Sequence, residues 1–144
     1  MNSKQFFKQL GMLLYGIDGI YDEYGRKSKI ASPNVLWVLY ALNDDEKHSQ
    51  KDICDGWSIP RTTINTIIKD LEQQQMVEMI PIPGKRREKY VKLTEKGKEY
   101  ADYVLAKLYE KERMIFEKIN DPDKFINDLE ALFNNVKLII EEWI

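Results

Sequence analysis

The chain has 144 residues, 43% of them hydrophobic, with eight Tyr, five Phe, three Trp and a formal net charge of −2. That is about one domain of chain with enough apolar mass for a core, which excludes wholesale disorder. One cysteine excludes an internal disulfide, one histidine leaves no His/Cys cluster for zinc, and no apolar run reaches the roughly 18 residues that cross a bilayer.

No metal, cofactor or membrane is therefore expected. The N-terminal stretch MNSKQFFKQLGMLLYGIDGI lacks the continuous apolar segment and small-residue cleavage site of an export signal, so the expected location is the cytoplasm. Charge is unevenly distributed. Between Gly84 and Lys92 five basic residues face one acidic one, whereas from Glu110 to the end nine acidic residues face five basic ones. Such segregation suits a protein that meets an anion on one face and stays soluble on the others.

Phe6, Leu10, Leu13, Ile17, Ile20 and Tyr24 recur at steps of four and three, which predicts an amphipathic first helix with Gly25 as its stop. Ser32-Pro33 is a helix-start signal, and Val35, Leu36, Val38, Leu39 and Leu42 predict a second, nearly all-apolar and hence buried helix. It gives way to a polar loop, Asn43-Asp44-Asp45-Glu46, with His48 expected as a solvated loop residue. Ser49 followed by Asp52 resembles a capping box opening a short helix that carries Ile53 and Cys54. Gly56-Trp57-Ser58 is expected to turn the chain, and Pro60 to start the next helix. There Ile64, Ile67, Ile68 and Leu71 face inward, while Arg61, Thr62, Asn65, Thr66 and Lys69 stay outside. Two helices across a short Gly-containing turn form the helix-turn-helix pattern.

Met76–Ile80 and Tyr90–Leu93 read as two short strands, and the loop between them, PIPGKRRE, is long enough to project. A basic hairpin directly after a helix-turn-helix is the arrangement called a winged helix. Thr94 then caps a long helix running through Ala101, Val104, Leu108, Ile115 and Ile119, with Glu95 favourably placed at its start and Asn120-Asp121-Pro122-Asp123 as its break. A last helix carries Phe125, Leu129, Leu132, Val136, Ile139 and Trp143 at the spacing of the first. The expected fold is mainly α with a small β-hairpin wing. Residues 1–30 and 121–144 are the terminal helices, 32–94 the winged helix-turn-helix lobe and 95–120 a connecting helix. The two terminal stripes offer more apolar surface than a small lobe can cover, and a partner subunit is the simplest cover.

The stretch SQKDICDGWSIPRTTINTIIKDLEQQQMVEMIPIPGKRREKYVKLTEKGKEYA, residues 49–101, resembles the MarR family of transcriptional regulators. LTEKGKEYA, at this distance after the two arginines, is its most specific piece, and the flanking helices fit the family's dimerisation elements. The resemblance implies a homodimer that binds pseudo-palindromic double-stranded DNA, usually as a repressor released by a small molecule or by oxidation. It departs from the family at two positions. Lys85 stands where many members have an aspartate that orients the second wing arginine, and Gln75 stands where glycine usually follows the recognition helix.

Within this reading Arg61, Thr62, Asn65 and Thr66 sit where a recognition helix reaches base edges, Asn65 suited to adenine and Arg61 to guanine. Thr63 and Lys69 suit phosphate contacts. Lys85, Arg86, Arg87 and Lys89 form the wing's contact set, with arginine entering a minor groove or lying on phosphates. Phe6, Leu10, Leu13 and Ile17 with Leu129, Leu132, Val136 and Ile139 form the expected dimer seam. Tyr15, Tyr21, Trp37 and Tyr40 are core candidates that could alternatively line a cleft for a small effector. Cys54 reads as a small packed residue rather than an oxidant sensor. No nucleophile, base and orienter arrangement and no phosphate-cradling glycine loop occurs, so no enzyme is expected. The competing reading is a winged-helix interaction module that no longer binds DNA.

Overall fold

The computed structural model describes residues 1–29 and 33–144; the Ser32 lead-in expected before Pro33 lies outside the described residues. Among the described residues six helices and three strands follow one another as α1 (Ser3–Lys27), α2 (Pro33–Leu42), β1 (His48–Ser49), α3 (Gln50–Trp57), α4 (Arg61–Gln73), β2 (Val77–Pro81), β3 (Lys89–Leu93), α5 (Glu95–Phe116) and α6 (Pro122–Glu141). The chain divides into two compact units, Met1–Ala106 and Lys107–Ile144.

In the first unit the apolar periodicity does what it predicts. Leu36, Val38, Leu39 and Leu42 of α2 and Ile64, Ile67, Ile68 and Leu71 of α4 are buried, and Ile53, Ile59, Val77, Val91, Ala101 and Leu105 are buried with them. Burying such a side chain is worth about 1.5–3 kcal/mol, so this shared core rather than helix propensity holds the short helices. α1 starts at a reciprocal cap: Asn2 Oδ1 accepts from the Gln5 amide and Gln5 Oε1 from the Asn2 amide, both at 2.9 Å. It runs past the expected stop at Gly25 and ends where Ser28 donates from its backbone to Tyr24 and from its hydroxyl to the Gly25 carbonyl.

Two further elements differ from expectation. Gly56 and Trp57 belong to α3 rather than to the turn, which is Ser58-Ile59-Pro60 with Ser58 left-handed at φ 50°. The Trp57 indole stacks on Trp37 with centroids 5.7 Å apart and planes 24° apart, a contact that holds the last helical turn despite the glycine. His48 is not a loop residue; it forms β1, pairing with Val91. Two residues are too few to show alternation, which is why the strand was invisible in the sequence. The His48 ring lies 2.8 Å from Asp44. Partial burial, the largest single influence, pushes the Asp44 carboxyl up, but hydrogen bonds from His48 and from backbone amides, with the charge of His48, together leave the group below its ordinary value. Glu46 completes a grouping in which one potential ligand atom from each of Asp44, Glu46 and His48 lies within 4.8 Å of the others.

The sheet is antiparallel in the order β1-β3-β2, with Met79 opposite Val91 and Pro81 opposite Lys89. Pro81 is tolerated because β2 is an edge strand. The expected strand residue Met76 is instead part of the preceding turn. α4 closes in a Schellman motif, with the Met76 amide donating to Leu71 at 2.8 Å and the Gln75 amide to Glu72 at 2.9 Å. The motif requires a left-handed residue, and Gln75 takes that role at φ 61°.

The LTEKG segment clamps this turn. The Thr94 amide donates to the Met76 carbonyl at 3.0 Å, the Thr94 hydroxyl to the Gln75 carbonyl at 2.6 Å, and Lys96 Nζ to the Gln74 carbonyl at 2.8 Å. Thr94 Oγ1 also accepts from the Gly97 amide, which makes it the α5 cap as expected. Gly97 is buried against the turn, and a Cβ there would lie 1.8 Å from the Met76 carbonyl oxygen.

The second unit holds the end of α5 and all of α6. α5 stops at Phe116, short of the expected break at residue 120, because tight turns bring the Lys118 amide to Ile115 and the Ile119 amide to Phe116. Asp121 instead caps α6, accepting from the Lys124 amide at 3.1 Å. None of the 20 residues of α6 is buried.

Gly97→Ala is expected to destabilise the first unit by about 3 kcal/mol, since backbone rather than a flexible side chain must move. Gln75→Gly is expected to stabilise by up to about 1 kcal/mol, because relief of left-handed strain exceeds the added unfolded-state entropy. Urea unfolding of the two variants checks both signs.

Candidate nucleic-acid interface

Three elements converge on one recess of about 290 Å³, lined by Ser49, Gln50 and Lys51 from the start of α3, Arg61 and Asn65 from α4, and Arg87, Glu88 and Lys89 from the wing. Residues from the helix and hairpin sets expected to touch DNA thus face one concavity. Arg61, Thr62, Asn65, Thr66 and Lys69 are all exposed along α4, and Thr63 is half-buried. Pro60 occupies the α4 N-cap without a side-chain cap, so Arg61 stands at an open helix start. Anions are favoured there by the unsatisfied amides and the helix dipole.

Gln50 is a residue the sequence reading missed. Its Nε2 donates to Asn65 Oδ1 at 3.2 Å, fixing which way the Asn65 amide points before any partner arrives. The arrangement leaves the Asn65 amide hydrogens to donate outward, while its carbonyl oxygen retains a second lone pair. Lys51 was missed as well, and it adds a cation to the same recess. The signal for both was their place at the first turn of the helix preceding α4. Thr66 donates its hydroxyl to the Thr62 carbonyl at 3.1 Å and so bonds within its own helix.

The wing is built by a turn at Ile82-Pro83-Gly84-Lys85. The Lys85 amide donates to the Ile82 carbonyl at 3.1 Å and Gly84 has φ 78°. Proline followed by a positive-φ glycine is the type II pattern, which needs glycine at that position. Lys85 then pairs with Glu88 at 3.0 Å, and that hydrogen bond pushes the lysine pKa above its ordinary value. Lys85 and Glu88 therefore neutralise each other across the two arginines. Among the described residues Arg86, Arg87 and Lys89 have no ion-pair partner. The missing aspartate of the wing is thus answered by an inverted pair that fixes the hairpin backbone and leaves both guanidinium groups uncompensated. Behind the wing, Lys47 Nζ lies 5.1 Å from the Tyr90 ring centroid and adds a further cation beside β3.

Cys54 is half-buried, and burial pushes its thiol above the ordinary value, the direction of an unreactive cysteine. Of the expected aromatic set, Tyr21, Trp37 and Tyr40 lie together with Trp57, whereas Tyr15 is 80% exposed and stands apart.

Residues 32–97 match a family model described as a winged helix DNA-binding domain. A stretch of 68 residues is 33% identical to the HTH-type transcriptional repressor NicR of Pseudomonas putida, covering 47% of this chain and 43% of that protein. The fold is similar to that of NMB1585, a MarR family regulator from Neisseria meningitidis, with a TM-score of 0.83, 28% identity and complete coverage of both chains. It is also similar in fold to a MarR family regulator from Listeria monocytogenes solved with 26mer DNA, at a TM-score of 0.68 and 16% identity over 94% of this chain and 93% of that one. The helix-turn-helix, the basic hairpin and the LTEKG clamp therefore have one common explanation: residues 32–97 form a winged helix DNA-binding domain, within a chain whose fold is similar to that of MarR family regulators.

Proposed function

We propose that the chain is a sequence-specific DNA-binding transcriptional regulator that acts as a homodimer on a pseudo-palindromic operator, as a repressor released by a small ligand. The observation that carries this reading is the recess in which Arg61 and Asn65 of α4 face Arg87 and Lys89 of the wing, in a chain that is acidic overall. An acidic protein that leaves cations unpaired on one surface keeps them for an external anion, and their spacing across a helix and a hairpin suits adjacent grooves of a duplex. NicR, the relative named above, is a repressor, which supports that sign of regulation.

The division of labour follows from the chemistry. Arg86, Arg87, Lys89 and Lys69 supply contacts to phosphate or a narrow groove, which carry affinity and salt dependence, while Lys85, expected among them, is paired with Glu88 and shapes the wing instead. Arg61, Thr62, Asn65 and Thr66 read base edges, with Asn65 oriented by Gln50, while half-buried Thr63 anchors α4 on the backbone.

Dimerisation follows from the uncovered helices. α6 buries nothing, and in α1 only Gly25 is buried. Phe6, Leu13 and Ile17 are 43%, 58% and 54% exposed, Val136 and Ile139 are 37% and 65% exposed, and Leu10, Leu129 and Leu132 are half-buried. Apolar stripes of this length are unstable in water, and a second copy of the chain covers them. A two-fold axis then requires inverted half-sites about 10–10.5 base pairs apart.

Replacing both Arg86 and Arg87 by Ala is expected to flatten the slope of log affinity against log salt by about 1–2, whereas Asn65→Ala is expected to weaken only the preferred site, by about 1–3 kcal/mol. Fluorescence anisotropy on specific and random duplexes separates the two. A chain that binds neither duplex at low salt is an interaction module instead. Leu132→Glu with Ile139→Glu is expected to give monomer or unfolded chain in sedimentation and to abolish the full-palindrome footprint. A folded monomer that still protects both half-sites would sink the dimer.

A further inference from the structure

The connection between α2 and β1 carries a side-chain cluster that DNA binding does not use. We propose that Asp44, Glu46 and His48 form a site for one divalent transition-metal ion of the zinc class, and that the bound ion anchors β1 to the sheet. None of the three residues belongs to the recess built by α3, α4 and the wing, so the site does not depend on the DNA-binding reading.

One oxygen from each carboxylate and one ring nitrogen of His48 lie within 4.8 Å of one another. His48 Nε2 stands 2.8 Å from both Asp44 oxygens, and the Glu46 amide donates to Asp44 Oδ1 at 3.0 Å, which orients that carboxylate. Donor atoms around a tetrahedral zinc ion, with bonds of about 2.0–2.2 Å, stand roughly 3.4 Å apart. The contact between His48 and Asp44 therefore opens slightly, and the Glu46 oxygen closes by about 1.4 Å at most. Both carboxylate side chains are exposed, so rotation about their own bonds covers this with the backbone in place. The residues in between are engaged elsewhere, Asp45 with Lys98 at 3.1 Å and Lys47 over the Tyr90 ring at 5.1 Å. Among the described residues no cation pairs with Glu46, whose carboxylate stands uncompensated beside the Asp44 and His48 pair.

The donor set selects the ion. One histidine rules out a His/Cys set in this chain, but carboxylates at alternate positions of a short extended run complete a different one. Calcium and magnesium prefer oxygen donors throughout, whereas an imidazole nitrogen with two carboxylates is a set for zinc, with water in the fourth position. The dication matches the two negative charges. The imidazole binds as the neutral ring, and the proton that Nε2 shares with Asp44 passes to solvent. His48 is half of β1 and pairs with Val91, and its neighbour Ser49 is buried and caps α3. A two-residue strand has little ladder of its own, and an ion that ties His48 to the end of α2 supplies a further fixed point.

The single histidine makes the test direct. Untagged protein is titrated with zinc chloride, with calorimetry giving stoichiometry and proton NMR following the imidazole ring. One ion per chain, with the His48 signals shifting in step with the heat, supports the site when Glu46→Gln weakens affinity about tenfold or more and Cys54→Ala leaves it unchanged. Absence of saturable binding, ring signals unmoved at saturation, an unchanged affinity in Glu46→Gln or an equal response to magnesium chloride overturns it. Glu142→Gln, an exposed carboxylate at the far end of the chain, is expected to leave affinity unchanged; an equal loss there marks general charge attraction and overturns the site as well. Glu46 is exposed, so its replacement leaves the fold intact, which circular dichroism verifies. Anchoring is read by thermal unfolding: at a hundredfold excess of zinc over Kd the midpoint is expected to rise by about 5 °C, and not to rise in Glu46→Gln. Saturable zinc binding at an unaltered midpoint overturns the anchoring role.

Discussion

The lobe depends on the clamp between Thr94-Glu95-Lys96-Gly97 and the turn Gln74-Gln75-Met76. Helix α4 ends with its carbonyls turned toward this point, β2 begins there, β3 ends opposite and α5 starts against it. Two groups on Thr94 and the ammonium of Lys96 satisfy three consecutive carbonyls, from Met76 back to Gln74. Carbonyls at a helix end have no partner within the helix, so the clamp that satisfies them ties a helix, a hairpin and a second helix by polar rather than apolar bonds. Gly97 permits it, because only a residue without a side chain lets two backbones meet at that spacing.

The hydrophobic core inside this frame is ordinary in composition and its burial follows from periodicity. What distinguishes the chain is the handling of charge around the wing. The Lys85 and Glu88 pair closes the hairpin on itself, with Lys85 fixed at the end of a type II turn. Surface pairs of this kind contribute little to stability. Their effect here is one of sorting: one lysine and one glutamate are withdrawn from the local field, and the arginines between them keep theirs.

Much of this was legible in the residues because the long elements carry strong periodicity and the turns carry chemical signatures. The two buried stripes of α2 and α4, the cap at Thr94 and the Pro83-Gly84 wing tip all read directly. The misses share a cause, in that tertiary contact overrode local preference. Gly25 and Gly56 stayed helical; at Gly56 the stacking of Trp57 on Trp37 holds the helix end, and α1 continues past Gly25 to a serine that closes it three residues later. β1 has no pattern of its own and exists because β3 offers a free edge to His48 and Ser49. Gln50 could be found only in three dimensions, since its importance lies in the Asn65 amide fifteen residues away. Trp57 likewise joined the aromatic group in place of Tyr15 through a register that spacing along one helix does not reveal.

Ser49 holds two positions at once. Its backbone pairs with Tyr90 beside the wing residue Lys89, and its hydroxyl accepts from the Asp52 amide to cap α3, whose first residue, Gln50, grips Asn65. One buried serine and the side chains of Gln50 and Asn65 thus link the wing and α4 with no loop between them. The two behave as the jaws of a caliper with a fixed opening. On the DNA-binding reading proposed above, a duplex gripped by both has to present its grooves at that separation, so local twist and groove width are measured along with the bases, and a sequence can be refused for its shape while every contacted base is correct.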